Sequence, residues 1–388
     1  MLIDEVLEYL GWKGKTSRLW LNDVHPETIK KALNDVKDNK DYRGLFHAAC
    51  ARAYADWLAG LALTRYTTLG FQEGGYDVDV LSVGRVQTPT LGLVVRRDLE
   101  IENFTPKDYY NFFAELQIDA VKKIKGKWVP DKNKEYDFFD EEGRIVNEAS
   151  ISVIKNKIDG KLGTITSVKK EKKSKKPPLP YNLSKLQVAA NQKFKIMEVL
   201  PHIQKLYDGG YVSYPRTGIR HLPEVRFDEA KEVIDAIKSA CLSFENIIKL
   251  VDTSRKSPAW NDKEVKEHYG IIPTKKAPDI TELDPMDKNI YEMIVQRYLL
   301  QFLPDYEYEQ TSVEFEVEDV RFKAVGRTII NLGWMGFDKE EENVSESKEK
   351  EDDDKRDMPS VKEGNTGDAT GVLEAKKQHL RSRLHTQH

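Results

Sequence analysis

The residues best suited to chemistry lie in a short run from Gly209 to Thr217, which reads Gly-Gly-Tyr-Val-Ser-Tyr-Pro-Arg-Thr. Tyr214 stands two residues before Arg216. A phenol, with an ordinary pKa near ~10, is a poor nucleophile at neutral pH unless a cation lowers that pKa. Arginine stays protonated, and its planar guanidinium suits a phosphate. The pair suggests a tyrosine that attacks a phosphodiester, although the tripeptide alone also fits a strand with a buried tyrosine and an exposed arginine.

A second motif spans residues 81–89 and reads Leu-Ser-Val-Gly-Arg-Val-Gln-Thr-Pro. Gly84 allows the backbone to approach a ligand closely. Ser82, Arg85 and Gln87 carry donors that suit phosphates or base edges. The same residues also fit an ordinary turn that opens a helix.

Two further motifs follow in the second half of the chain. Residues 267–274 read Glu-His-Tyr-Gly-Ile-Ile-Pro-Thr and contain His268, which fits a structural histidine as well as a catalytic one. Residues 177–187 read Pro-Pro-Leu-Pro-Tyr-Asn-Leu-Ser-Lys-Leu-Gln, which alone indicates only a linker and a helix cap.

The elements that must position these motifs are helical in the first hundred residues. A first helix is predicted over residues 4–10 and ends at Gly11, and a second begins at Pro26. A third is predicted over 44–63, and a fourth follows a turn at Ser82 and extends to Leu99. From Tyr109 the apolar residues alternate, which predicts short strands up to about Val168. The basic run 169–176 is interpreted as a solvated hinge.

Residues 181–273 are predicted to form a separate helical domain. Ser184 and Gln187 fit a capping box, and a second helix over 196–207 stops at the glycine pair. Two helices, a tight turn and an extended segment predict a helix-turn-helix with a strand that carries Tyr214. A helix over 287–303 and alternating residues over 308–325 indicate that the β layer resumes after an inserted domain.

Composition sets limits on the class of protein. The chain has 388 residues, of which 39% are hydrophobic and 32% charged, and only two cysteines, so we expect a reducing, cytoplasmic setting. The acidic N-terminus lacks a signal peptide, and no apolar run approaches a membrane span. Residues 338–357 hold 11 acids and 5 bases, so the net charge of −4 leaves the rest near neutral. Any DNA-binding surface must then be local.

Together, in this order and spacing, the four motifs resemble those of the type IA DNA topoisomerases, and among them the bacterial topoisomerase III branch. The segment from Ala51 to Leu58, Ala-Arg-Ala-Tyr-Ala-Asp-Trp-Leu, is similar to a helix of that family. The resemblance implies a mixed α/β, toroidal core with a helical base, a β-rich gate domain and an inserted winged-helix-like tyrosine domain. The expected bounds are 1–97 for the base, 98–168 and 303–337 for the gate, 169–180 for a basic linker, 181–302 for the tyrosine domain, 338–357 for a disordered acidic segment and 358–388 for a remnant of the base.

The resemblance also implies roles for individual residues. Tyr214 matches the nucleophile that forms a 5′-phosphotyrosine link, Arg216 the arginine that stabilises charge on the phosphate, and His268 the histidine that contacts the phosphate backbone. Further DNA contacts are implied for four residues that match family positions: Arg52, Ser82, Arg85 and Gln87. The expected activity is single-strand cleavage, strand passage and religation without ATP, on single-stranded DNA.

The sequence departs from the family pattern at three places. Gly218 occupies the position of an aspartate that follows the arginine by two residues. No segment resembles the Toprim domain that binds Mg²⁺ in the family; Asp77 and Asp79 are interpreted as solvated. We therefore expect Mg²⁺ ligands outside this chain, a separately encoded Toprim fragment as partner, and impaired independent activity. The sequence after Lys377 no longer follows the family, which suggests a shifted reading frame and a missing C-terminal end.

Two other classes of function stay open at this stage. One is a non-catalytic module that binds single-stranded DNA through the same groove residues. The other is a different tyrosine-nucleophile enzyme, which is disfavoured because no His-x-His metal motif occurs and Tyr214 precedes His268 in mid-chain.

Overall fold

The computed structural model describes residues 2–20, 26–131, 136–240, 242–265, 268–338 and 358–377. The described residues divide into two compact units, one before Asp108 and one from Asp108 to Lys377. The first is helical and the second combines a β-barrel with helices, so the predicted mixed α/β class is confirmed. In the described part of the chain no helix has both the length and the apolarity that a membrane crossing requires. The predicted disorder of 338–357 lies, apart from Asp338, outside the described residues.

The first unit contains four helices in its described part, and a two-stranded antiparallel ribbon. The elements are α1 (Leu2–Tyr9), β1 (Ser17–Arg18), α2 (Pro26–Asn34), β2 (Lys37–Asp38), α3 (Arg43–Glu73) and α4 (Gln87–Glu102). Helix α3 continues past the predicted end at Leu63 because the isolated Gly70 is tolerated and no proline or glycine pair occurs before Gly74–Gly75, where Gly75 adopts a φ of 85°.

The helices of this unit bury little of their apolar surface. Phe46 is the one buried residue of α3, and α4 has none among the described residues. Trp57, Leu61 and Leu93 are each about half exposed or more. A long helix that is apolar on several faces needs further polypeptide around it.

The second unit is organised around a closed antiparallel barrel with the strand order β3-β4-β7-β6-β5-β8. The strands are β3 (Asp108–Gln117), β4 (Lys123–Trp128), β5 (Lys161–Lys175), β6 (Tyr306–Val317), β7 (Val320–Asn331) and β8 (Thr366–Lys377). Alternate side chains such as Phe112, Leu116 and Phe315 are fully buried inside it. Helix α5 (Glu148–Ile158), capped by Asn147, packs against the barrel.

The basic run 169–175 is not a hinge, so that prediction was wrong. It forms the second half of β5 and pairs with β6 from Tyr306 to Ser312. Acidic and amide side chains on β6 accept from its lysines, as Glu309 does from Lys170 at 2.9 Å. Cross-strand pairs of opposite charge stabilise such an exposed pair of strands. The sequence of the basic run alone does not reveal its partner strand.

The resemblance predicted a remnant of the helical base over residues 358–388. For residues 366–377 this prediction was also wrong. They form β8, which pairs with β3 along its whole length and with β5 at one end. Ala369 is buried in the barrel, and Gly367 approaches the backbone of Gln117 so closely that a Cβ would lie 2.4 Å from its carbonyl oxygen. Small residues at these positions therefore allow β8 to close the barrel.

The chain between β5 and β6 builds a second, helical core. It contains α6 (Leu183–Phe194), α7 (Val199–Asp208), α8 (Ala230–Ala240), α9 (Glu245–Ile248) and α10 (Pro285–Leu299). Nine residues of α10 are buried, so this helix forms the centre of the core. The cap of α6 is Asn182, which accepts from the Lys185 amide at 2.9 Å, and not the predicted box of Ser184 with Gln187. An asparagine two residues earlier competes well for the N-cap position.

Candidate active site

Tyr214 lies on an extended segment that begins where α7 ends. The Gly209–Gly210 turn reverses the chain, and Gly210 adopts a φ of 75°, which favours glycine. Val212 forms a single antiparallel bridge with Pro273, and the Ser213 amide donates to Ile272 O at 2.9 Å. The segment is extended as predicted, although one bridge and not a regular strand holds it.

Ser213 ties the tyrosine segment to the segment that carries His268. Its side chain is buried, and the hydroxyl donates to Gly270 O at 3.1 Å while it accepts from the Ile272 amide at 3.0 Å. Both partners belong to the predicted His-x-x-Ile-Ile-Pro-Thr motif. The two motifs are therefore fastened together immediately beside Tyr214.

The Tyr214 ring contacts two other aromatic rings. His268 packs against it with a centroid distance of 4.5 Å and an angle of 39°, and Tyr207 meets it at 5.5 Å and 79°. Both Tyr214 and His268 are half-buried. Arg216 is exposed and pairs with no carboxylate of the described residues, so its guanidinium can bind an anion.

The Pro-Leu-Pro-Tyr motif braces the far side of the same loop. The Arg220 guanidinium donates to the carbonyl oxygens of Pro180 at 2.9 Å and Leu179 at 2.6 Å. Gly270 lies so close that a Cβ there would be 2.7 Å from the Arg220 carbonyl oxygen. The Asn182 side chain also donates to Gly218 O at 2.8 Å. Three of the four sequence motifs thus converge around Tyr214.

The fourth motif, residues 81–89, lies in the first unit. Its chain runs along α3 towards the start of that helix. One stripe of α3, with residues four apart, supports it: Arg52, Asp56, Gly60, Thr64, Thr68 and Gln72. The Thr64 hydroxyl accepts from the Val83 amide at 3.0 Å, and the Thr68 hydroxyl accepts from the Leu81 amide at 3.1 Å. The stripe therefore fixes the backbone on both sides of Ser82, whose side chain is exposed.

Arg85 continues this arrangement about two turns towards the start of α3. It donates to both carboxylate oxygens of Asp56, through Nε at 2.7 Å and Nη2 at 3.0 Å. The guanidinium of Arg85 holds the pKa of the Asp56 carboxyl below its ordinary value, and the positive charge of Arg52 acts in the same direction. Arg52 and Gln87 are exposed, so these side chains face solvent near a fixed arginine.

Several residues around Tyr214, and the polar stripe on α3, were not identified from the sequence. Tyr207, Ser213 and Arg220 flank or fall within the tyrosine motif but carry no distinctive pattern. The α3 stripe did carry a signal, because polar or small residues recur every four positions from Arg52 to Gln72. Each step of four residues advances about 40° around the helix, so the stripe winds around α3 and indicates an oblique ridge that a polar segment can follow.

We tested whether the described residues offer a site for Mg²⁺. Within the described ranges, one group of three metal-ligating side chains lies close together, namely His202, Asp284 and Asp287. His202 Nδ1 already lies 2.6 Å from Asp287, and the Lys205 ammonium lies 3.6 Å from the same carboxylate. Mg²⁺ prefers an octahedral shell of oxygen ligands, so this group does not fit it. Asp77 and Asp79 are exposed and do not belong to the group.

Comparison with known proteins gives one consistent family. The family model described as "DNA topoisomerase" matches residues 40–387. The chain is 35% identical over 362 residues to DNA topoisomerase 3 of Haemophilus influenzae, covering 88% of this chain and 55% of that protein. It is 32% identical over 366 residues to DNA topoisomerase 3 of Bacillus subtilis, covering 93% and 47%. The chain thus spans about half the length of these curated relatives.

The fold has a counterpart among solved structures. The full-length topoisomerase I from Thermotoga maritima matches with a TM-score of 0.60 and 22% sequence identity, covering 98% of this chain and 58% of that one. At this identity the likeness supports the fold alone. The match to the DNA topoisomerase family model and the convergence of three motifs around Tyr214 together explain why the four sequence motifs occur in this order.

Proposed function

The chain belongs to the type IA DNA topoisomerase family, and from this premise we propose that Tyr214 cleaves single-stranded DNA through a covalent 5′-phosphotyrosine link. The observation that carries the proposal is the contact of the Tyr214 ring with His268 and Tyr207, two residues before an exposed Arg216 that has no carboxylate partner among the described residues. A positioned phenol and an available guanidinium are groups that suit attack on a phosphodiester.

The proposed step exchanges one ester for another. Tyr214 Oη attacks phosphorus and loses its proton, the bond from phosphorus to O3′ breaks, and O3′ takes up one proton as the leaving hydroxyl. The reverse step reseals the strand, so no ATP is consumed. Arg216 would bind the non-bridging oxygens, whose charge grows in the transition state, and His268 would bind the adjoining phosphate backbone.

We assign the metal-dependent part of the reaction to residues outside the described part of this chain. Mg²⁺, when bound in this family, holds DNA phosphates for religation, and the described residues do not fit it. We infer that a Toprim polypeptide, joined to the chain or separately encoded, acts with it in the cytoplasm. The exposed apolar faces of α3 and α4, together with the relatives' greater length, support further polypeptide around the first unit.

The first unit is proposed to bind the single strand. Arg52, Ser82, Arg85 and Gln87 are all exposed, and the stripe on α3 fixes the backbone that carries the last three. Preorganised donors of this kind bind phosphates and base edges at a lower entropic cost than mobile side chains.

A labelled single-stranded oligonucleotide tests the proposal. We expect a denaturation-resistant adduct, formed with added Toprim polypeptide and Mg²⁺, that disappears in Tyr214→Phe. The matched control is Tyr211→Phe, three residues away, which should keep the adduct. An adduct that survives Tyr214→Phe would refute the assignment of the nucleophile.

The same assay separates a second candidate function, a module that binds single-stranded DNA without cleaving it. The absence of a fitting Mg²⁺ site among the described residues favours this alternative. Binding without any adduct, even with the Toprim polypeptide supplied, would support it. Relaxation of supercoiled DNA restored by that polypeptide would exclude it.

A further inference from the structure

Tyr207 is a feature of the site that the nucleophile assignment leaves unused. It lies at the end of α7, one residue beyond the buried Leu206, and its side chain reaches the Tyr214 ring. The residue is 38% exposed, so solvent reaches part of it next to the Tyr214 ring.

The position of Tyr207 is fixed from two directions. The body of α7 is anchored by the buried Val199 and Ile203 and by the 2.6 Å contact of His202 with Asp287 of α10. These contacts leave α7 little freedom to move relative to the helical core.

The end of α7 is held by the turn that follows it. The Thr274 hydroxyl donates to Gly210 O at 2.6 Å, and the Lys276 ammonium donates to Gly209 O at 2.9 Å. The backbone on both sides of Tyr207 is thus fastened to the core, so its ring is presented on a rigid element.

We propose that the Tyr207 ring is a stacking platform for the nucleobase next to the phosphate attacked by Tyr214. The proposal rests on the proposed cleavage of single-stranded DNA. A base that flanks the attacked phosphate lies within one nucleotide of Tyr214 Oη, and an aromatic ring 5.5 Å from the Tyr214 ring is therefore within reach of that base. Every base has a π-face, and stacking on tyrosine tolerates any sequence.

A stacked base would also set the register of the strand. The phosphate attacked would be the one whose neighbouring base stacks on Tyr207, while Arg216 binds that phosphate and His268 binds the adjoining phosphate backbone. Tyr207 is therefore inferred to be a positioning residue. It holds the base and the Tyr214 ring together and exchanges no proton.

Photocrosslinking tests this subsite without requiring turnover. Oligonucleotides that carry one 5-iodouracil at successive positions are bound to the full chain and irradiated, and the crosslinked peptide is identified by mass spectrometry. We expect a crosslink to Tyr207 from one position of the iodouracil. Tyr207→Leu should weaken binding roughly 5- to 150-fold, as the loss of one base–aromatic stack worth about 1–3 kcal/mol predicts, whereas Tyr207→Phe should stay within about twofold.

Two controls keep the outcomes distinct. Tyr9→Leu makes the same change at a tyrosine that is 91% exposed, and it should leave binding unchanged. Circular dichroism of Tyr207→Leu must match that of the unaltered chain, and Tyr207→Phe provides the variant that keeps the ring. Binding with crosslinks only elsewhere and undiminished affinity in Tyr207→Leu would overturn the subsite alone. Absence of any oligonucleotide binding would overturn the proposed function and the subsite together.

Discussion

Replacing Ser213 by alanine should loosen the site without touching the nucleophile. The hydroxyl donates to Gly270 O at 3.1 Å and accepts from the Ile272 amide at 3.0 Å, and the residue is 7% exposed. Alanine removes both hydrogen bonds and leaves the Ile272 N–H buried without this acceptor. An orphaned buried donor costs about 1–3 kcal/mol, and the lost bond to the carbonyl adds about 1 kcal/mol. We expect a local destabilisation of about 2–4 kcal/mol.

Hydrogen exchange measured by mass spectrometry reports this quantity where it arises. Since about 1.4 kcal/mol corresponds to a factor of ten, peptides covering 211–214 and 270–274 should exchange roughly 30- to 700-fold faster in Ser213→Ala. The barrel strands should exchange at their usual rate, because their hydrogen bonds do not involve Ser213. Ser213→Thr keeps a hydroxyl and should retain most of the protection.

The matched control is Ser239→Ala, which makes the same change on α8. Ser239 is exposed, and its hydroxyl donates to Ala236 O within the same helix at 2.8 Å. Exposed substitutions of this kind change the free energy of unfolding by less than about 0.5 kcal/mol. Exchange in Ser213→Ala within about threefold of the unaltered chain, or equal acceleration in both variants, would refute the reasoning.

Three further substitutions test other contacts, one beside Arg85 in the first unit and two near Tyr214. Asp56→Asn removes the carboxylate that neutralises Arg85, so the salt dependence of single-stranded DNA binding should steepen by about 0.7 in log–log slope; an unchanged slope from titrations at several salt concentrations would contradict this. Gly270→Ala forces a Cβ to 2.7 Å from the Arg220 carbonyl oxygen, so thermal unfolding should show a loss of roughly 1–3 kcal/mol, and full stability would argue against the close approach. Gly218→Asp meets no atom within 4 Å of its added Cβ and restores the family's carboxylate, so stability should be kept while the rate of adduct formation rises several-fold; a slower rate in a gel assay would exclude an orienting role.

Much of the local structure was predictable because its signals are local. The start of α2 follows from a proline in the first turn, and β3, β6 and the beginning of β7 follow from alternation of apolar residues. Helix α10 begins at Pro285, two residues before the predicted start. The motif order was sufficient to predict the family. Patterns that repeat over neighbouring positions need no knowledge of the rest of the fold.

The remaining errors arose where distant residues decide the outcome. The basic run 169–175 forms a strand because β6 supplies a partner more than a hundred residues later. Strand β8 is fixed by β3 in the same way, and Asn182 caps α6 while its amide donates to Gly218 across the site. Burial and pairing with remote segments override a local reading of charge or capping. No single-sequence pattern reports which remote segment is the partner.

The two proposed DNA-binding regions, the Tyr214 segment and the Arg85 motif of the first unit, are stabilised by different interactions. Ser213 holds the Tyr214 segment through buried hydrogen bonds, which salt hardly screens. Arg85 is oriented by an ion pair with Asp56 in which both side chains are about half exposed, so it is screened strongly and contributes little to stability. Rising ionic strength should therefore weaken capture of the strand by the first unit, while the arrangement of Tyr214 with His268 stays intact. Since binding and nucleophile geometry depend on separate interactions, salt provides a means to vary one while the other is held constant.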